Sequence, residues 1–276
     1  MLLYPWVLGT LVFILGTIIG SFLNVLIYRM GSGAGLSGRS RCLSCGKTLT
    51  VRMLIPLVSY ILQRGRCAYC GAKLSIQYPL VEAATGALLL LAWQTHGIDP
   101  FASDILQITL FFFDAAIWST LLTVIVYDLK HKIIPDRLSF LFALCAGAAL
   151  FLKWQWGLLA PVFLPFLGVF IPVWLDALAG PLLALPFALL WFLSGGRAMG
   201  LGDAKLAWGL GWFLGFSGGI SAVVLAFWLA FFPSIFLLFL RRKRFTMKSE
   251  VPFAPFLILG TTIVYALGVD ILRWTL

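Results

Sequence analysis

Two groups of residues in this chain have the types and spacing that chemistry requires. The first is Cys42-Leu-Ser-Cys45 and Cys67-Ala-Tyr-Cys70, two CxxC pairs separated by 21 residues and each followed by glycine, Gly46 and Gly71. Knuckles that turn at glycine bring four sulfurs to the corners of a tetrahedron, an arrangement that suits Zn2+. Eight Arg and Lys lie between Arg29 and Lys73 with no acidic residue among them, and they offset the charge of a four-thiolate centre. The same basic excess assigns the segment to the cytoplasm, where structural disulfides are rare. Four protein ligands leave no open position, so the expected zinc is structural. Cys145, alone in an apolar run, reads as a small packing residue.

The second group is a pair of carboxylates. Asp128 closes an apolar run at Tyr127-Asp128-Leu129-Lys130, and Asp203 stands in Gly200-Leu201-Gly202-Asp203 as a helix begins. Ionisable residues at membrane depth are expensive and are functional candidates by default. Two neighbouring carboxylates can hold one proton between them, one serving as base toward water and the other as acid. Glycine on both sides of Leu201 would admit another backbone, such as an extended substrate. Helix capping or a proton relay would use the same pair. Asp99, Asp104, Asp176, Asp270 and Glu250 read as solvated residues at turns and span ends. Asp136, after Pro135, reads as the N-cap of the next helix. Glu82 and Asp114 fall inside apolar runs, and their roles stay open.

These side chains need a scaffold, and the composition says what kind. Of 276 residues, 62% are hydrophobic and 11% charged, with a mean hydropathy of +1.03. A soluble domain carries about 25% charged residues, so a soluble enzyme, a disordered chain and a fibre are excluded. The net charge of +10 is gathered in short segments between apolar runs, a membrane-topology signal that argues against nucleic acid as a partner. The expected fold is all-α, a polytopic membrane helix bundle of about eight spans with a small zinc-binding cytoplasmic insertion. Residues 1–28 form a retained first span, 29–77 the cytoplasmic loop domain, and 78–276 the bundle that carries the aspartates. Apolar runs are read over Trp6–Tyr28, Tyr78–Thr95, Ile105–Tyr127, Arg137–Leu152, Ala177–Leu193, Ala204–Phe216, Ile220–Leu240 and Pro255–Ile271. Ser217-Gly218-Gly219 is the expected reversal between the sixth and seventh. The proline-interrupted segment Trp154–Trp174 reads as an interfacial or re-entrant excursion. Eight crossings put the basic clusters, including Arg241-Arg242-Lys243-Arg244, on one side and Asp99, Asp104, Asp176 and Asp270 on the other, with the N-terminus outside. Gly16-x-x-x-Gly20 reads as close helix packing.

With these residues in place, the chain resembles the bacterial type IV prepilin peptidases, bifunctional leader peptidase and N-methyltransferase enzymes. The resemblance rests on Gly200-Leu-Gly-Asp203 with Asp128 and Ile134-Pro135-Asp136, on Gly20-Ser-Phe-Leu-Asn-Val25 with Tyr28-Arg29, and on Ser40 through Cys70 with Pro56-Leu-Val-Ser-Tyr60. Tyr78-Pro79 with Glu82 and Pro252-Phe-Ala-Pro-Phe256 also fit, the last with Ala254 where glycine is expected. It implies that Asp128 and Asp203 are the catalytic pair of a membrane aspartyl endopeptidase in the bacterial cytoplasmic membrane. The substrates it implies are type IV prepilins or type II secretion pseudopilins, cut after the glycine that ends a basic leader. It also implies methylation of the new N-terminus from S-adenosyl-L-methionine, for which no residue is assigned. Membrane lipids are expected partners, since anionic headgroups would offset the repulsion between a basic enzyme and a basic leader. Two other classes use some of the same features: a proton-coupled transporter, and a non-enzymatic assembly protein whose zinc loop docks a partner.

Overall fold

The computed structural model describes residues 4–30, 35, 38–98, 103–165, 168–197, 199–239 and 252–273. Asp99, the cluster Arg241–Arg244 and Glu250 lie outside the described residues. Packing divides the chain into two compact units, Met1–Thr123 and Val124–Leu276.

The first unit is built on α1 (Tyr4–Arg29) and α3 (Gln77–His96), with the cysteine loop between them containing the one-turn helix α2 (Val58–Leu62). Leu11, Leu15, Ile18 and Phe22 form an exposed stripe along α1, spaced as one helical face. In lipid the outward face is as apolar as the inward one, so close packing and polar contacts single out the inner face. A Cβ on Gly16 would stand 2.6 Å from the Cα of Gly86, and one on Gly20 would stand 2.7 Å from the Cα of Glu82. The Gly16-x-x-x-Gly20 stripe is therefore the seam between α1 and α3. The unit ends within α4 (Ile105–His131).

The second unit is arranged around α7 (Leu201–Phe239), against which α5 (Asp136–Gln155), α6 (Trp174–Ser194) and α8 (Ala254–Leu267) pack. The α4–α5 junction follows from its sequence. Lys132 turns left-handed with φ 54°, and its N–H bonds to the carbonyl of Asp128 at 2.7 Å. Pro135 then holds the extended conformation from which α5 departs.

α7 is not straight. Gly215, with φ 75° and ψ 179°, breaks it into arms 201–214 and 216–239. A Cβ on Gly219 would lie 3.5 Å from the Cα of Gly211, whereas eight residues of straight helix span about 12 Å. The arms therefore fold back on each other. The expected reversal at Ser217-Gly218-Gly219 belongs four residues or fewer upstream, because Gly215 takes the turn conformation and Gly218 and Gly219 pack within the second arm.

Among the described residues, five helices are long and apolar enough to cross a membrane: α1, α4, α5, α6 and α7; α8 is a shorter apolar helix. Trp154–Trp174 contains no spanning helix. Between the end of α5 and the start of α6 it forms a two-stranded antiparallel hairpin, β1 (Val162–Leu164) and β2 (Val169–Ile171), with Val162 opposite Ile171. Pro161, Pro165 and Pro172 flank these strands, removing N–H donors that a helix would need.

Candidate functional site

The α4–α5 junction and the start of α7 assemble the carboxylate pair. Asp128 lies in the last turn of α4 and Asp203 in the first turn of α7. Both side chains are buried, at 5% and 7% exposure, and the two carboxylates are close enough to interact electrostatically. Gly202 fixes this approach. A Cβ there would meet the Cβ of Ile134 at 2.9 Å, so the connector after Asp128 rests directly on the turn before Asp203. The room at Gly202 is thus filled by Ile134 of the chain itself, whereas a Cβ on Gly200 would make only ordinary van der Waals contact, nearest to Asp203 Oδ2 at 3.7 Å. Two buried carboxylates in reach of each other disfavour double ionisation and can hold one proton between them.

Asp136 is not an N-cap. Pro135 occupies that position, and Asp136 is the first residue of α5, where its carboxylate accepts from Lys205 Nζ at 2.6 Å across an exposed ion pair. This pair ties the starts of α5 and α7 together beside the dyad.

Asp176 and Asp270 gather at the reversal within α7, and neither is simply solvated. Asp176 Oδ1 accepts the N–H of Phe216 at 2.8 Å, satisfying a donor exposed by the break at Gly215. Asp270 accepts from the Ser217 hydroxyl at 2.6 Å and from Arg273 at 2.9 Å, latching the segment after α8 onto the reversal.

The four cysteines form the second centre. Their sulfurs all lie within 4.8 Å of one another, with Cys42 and Cys70 at 3.9 Å, and no cysteine of the chain forms a disulfide. The two knuckles are copies. Cys42 N–H bonds to Lys47 O and Gly46 N–H to Cys42 O, and the same two bonds recur as Cys67 to Ala72 and Gly71 to Cys67. Each is closed by a bridge, Arg41 with Thr48 and Arg66 with Lys73. Tetrahedral zinc with bonds of about 2.3 Å places its sulfurs roughly 3.8 Å apart, so this set fits such an ion. The backbone N–H groups of Cys45 and Ser44 stabilise the thiolate of Cys42 and lower its pKa to about 6. Lys47 lies 5.2 Å over the ring of Tyr69, one knuckle against the other.

Two further buried acids were left open by their sequence context. Asp114, at 1% exposure, meets His96 Nε2 at 2.9 Å. The pairing is invisible in sequence because 18 residues and a turn separate them. Glu82, at 7% exposure, accepts the N–H of Leu57 at 2.8 Å and a hydrogen bond from Ser21. Asn24 of α1 donates to the carbonyl of Tyr78 in the first turn of α3 and accepts from Gln77.

Comparison with known proteins gives two family matches. Residues 14–96 match the bacterial peptidase A24 N-terminal domain, and residues 115–240 match the type IV leader peptidase family. The chain is 29% identical to a prepilin leader peptidase/N-methyltransferase of Aeromonas hydrophila, over 99% of this chain and 95% of the relative. It is 28% identical to that of Pseudomonas putida over 95% and 91% of the two chains. It is 30% identical to that of Klebsiella pneumoniae over 75% and 86%. No solved structure gives a significant match.

Proposed function

We propose, from the premise that this chain belongs to the type IV leader peptidase family, that it is a membrane aspartyl endopeptidase which removes the basic leader of type IV prepilins or pseudopilins. In this reading cleavage follows the glycine that ends the leader, at the cytoplasmic face of the bacterial inner membrane, and the enzyme then methylates the new N-terminal residue. The observation that carries the peptidase reading is the buried pair Asp128 and Asp203 at one end of α7.

The geometry suits the substrate. A prepilin has a basic leader in water and an apolar helix in lipid, so the scissile bond lies at the interface. A pair at the ends of two helices reaches that depth without unfolding the pilin helix. The carboxylate that lacks the shared proton takes one from the attacking water. The protonated carboxyl donates to the scissile carbonyl as negative charge develops there. Proton transfer to the departing amine resets the pair, and burial keeps these exchanges strong by excluding competing water. Anionic lipid headgroups offset the repulsion between the enzyme's net charge and the leader.

Cys42, Cys45, Cys67 and Cys70 would hold zinc, whose contribution is to order the loop. S-adenosyl-L-methionine, when bound, supplies the methyl group.

The test is to incubate the purified full-length protein with a prepilin and S-adenosyl-L-methionine and to weigh the products. The expected result is a pilin lacking its leader and heavier by one methyl group. An unchanged prepilin contradicts the reading and favours a transporter or docking protein.

A further inference from the structure

The methyl-transfer half of this reading has no residue assigned to it, and a buried carboxylate outside the dyad has the chemistry for it. Glu82 is the only acidic residue in the first 98 positions, beside a loop that carries eight basic residues. Among the described residues no cation pairs with it, although all eight of those basic residues are described. Asp270, in contrast, has Arg273. A carboxylate withdrawn from water without a cation costs several kcal/mol, and such sites persist where function demands them.

The chain also stores strain at this point. Leu57 adopts φ 60° and ψ −52°, and the N–H of Val58 reaches the carbonyl of Pro56 at 2.6 Å. This is the rare positive-φ form of the γ-turn, which a side-chain-bearing residue adopts only when its surroundings hold it there. Glu82 holds it through the Leu57 N–H. Ser21 of α1 adds a second neutral donor to the carboxylate. The cluster offers negative charge and no positive charge.

N-methylation brings together two cations, the α-ammonium of the new N-terminus and the sulfonium of the methyl donor. We propose that Glu82 is the receptor for the α-ammonium of the cleaved pilin and takes the proton that this group must lose before it can be methylated. The inference rests on the bifunctional reading above. Glu82 accepts one proton from the ammonium, leaving a neutral amine. The amine lone pair forms the N–C bond as the S–C bond breaks, and that electron pair stays on sulfur as a neutral thioether. The product is a secondary ammonium, and Glu82 returns its proton to water.

The direct test is binding, with purified full-length protein in detergent. The probes are two peptides of a mature pilin N-terminus, one with a free α-amine and one N-acetylated. A charge-assisted hydrogen bond of about 1.5–3 kcal/mol corresponds to wild-type preference for the free amine of about tenfold or more. Glu82→Gln keeps an oxygen for the Leu57 N–H, so the turn and the metal content should persist while the preference disappears. Glu82→Asp should restore part of it. In parallel, Glu82→Gln should lose methyl transfer by about 10²–10⁴-fold with cleavage within about twofold of wild type. Equal binding of the two peptides by wild type, or a preference that survives in Glu82→Gln, overturns the proposal. Loss of metal and cleavage together with methylation also overturns it and makes Glu82 a structural latch. A wild-type protein that cleaves but transfers no methyl defeats the bifunctional reading itself. A methylating wild type with an equally active Glu82→Gln defeats this inference alone.

Discussion

At the scale of single residues, the contact between Gly202 and Ile134 governs how Asp128 and Asp203 meet. A Cβ at position 202 falls 2.9 Å from the Ile134 Cβ, so Gly202→Val must push the two carboxylates apart. A displacement of about 1 Å in catalytic groups costs about a hundredfold, and the single-turnover cleavage rate of this variant should fall to that extent, alongside a thermal midpoint lowered by overpacking that costs about 1–3 kcal/mol. Asp136 supplies the contrast. Its ion pair with Lys205 is exposed, and such pairs contribute only about 0–1 kcal/mol. Asp136→Asn should therefore cleave at no less than about a fifth of the wild-type rate, a difference that a quantitative processing assay resolves. Asp128, Asp203 and the cysteines were legible because their chemistry is visible in residue type and local spacing. Asp176 and Asp270 were misread as solvated because their partners, Phe216 and Ser217, lie 40 and 53 residues away. Pairing at that distance is a property of the fold.

At the scale of elements, the cysteine loop and the reversal of α7 each hold a distinct risk. Replacing Cys42 or Cys67 with Ser should lower bound zinc from ~1 equivalent toward none and expose the loop to protease, since metal-binding free energy is folding free energy in small modules. Metal analysis of the purified variants measures this. Protons compete with the metal for thiolates. Metal binding needs all four thiolates deprotonated, and while the pKa of Cys42 is lowered to about 6, that of Cys70 is raised to about 11. Zinc affinity should therefore weaken progressively as pH falls rather than at one threshold. At the reversal, Gly215 has a conformation reserved for glycine, and a Cβ there would meet Asp176 Oδ1 at 2.9 Å. Gly215→Ala should destabilise the second unit by about 1–3 kcal/mol, readable as a lower thermal midpoint. The sequence announced a glycine-rich reversal but not which glycine turns, because φ is set by the Asp176 contact. The proline-rich segment announced that no regular helix would form there, while the pairing of β1 with β2 depended on contacts that periodicity does not encode.

At the scale of the whole molecule, the alternation of basic and acidic segments made the multi-pass architecture legible before any contact was known. The eight apolar runs reappear as helical segments, but among the described residues five helices have the length and hydropathy to cross. The reason is that α7 joins two runs across its bend, α8 is short, and α3 mixes Glu82 and other polar residues into its apolar run. Within the second unit the acidic groups separate as charge had indicated, with Asp128, Asp136 and Asp203 at the start of α7 and Asp176 and Asp270 at its reversal. If the start of α7 faces the cytoplasm, a cysteine placed at Asp104 should react with an impermeant thiol reagent in intact cells, and one placed at Asp136 should not. The reverse pattern would invert the topology. The claim on which the rest depends is that the two buried carboxylates cut the leader. Single-turnover cleavage of a prepilin by the purified wild-type, Asp128→Asn and Asp203→Asn proteins measures it most directly, with circular dichroism and zinc content showing that each variant is folded. The expected result is a loss of about 10²–10⁴-fold or more in each variant; a folded Asp128→Asn or Asp203→Asn protein that cleaves at the wild-type rate would contradict it.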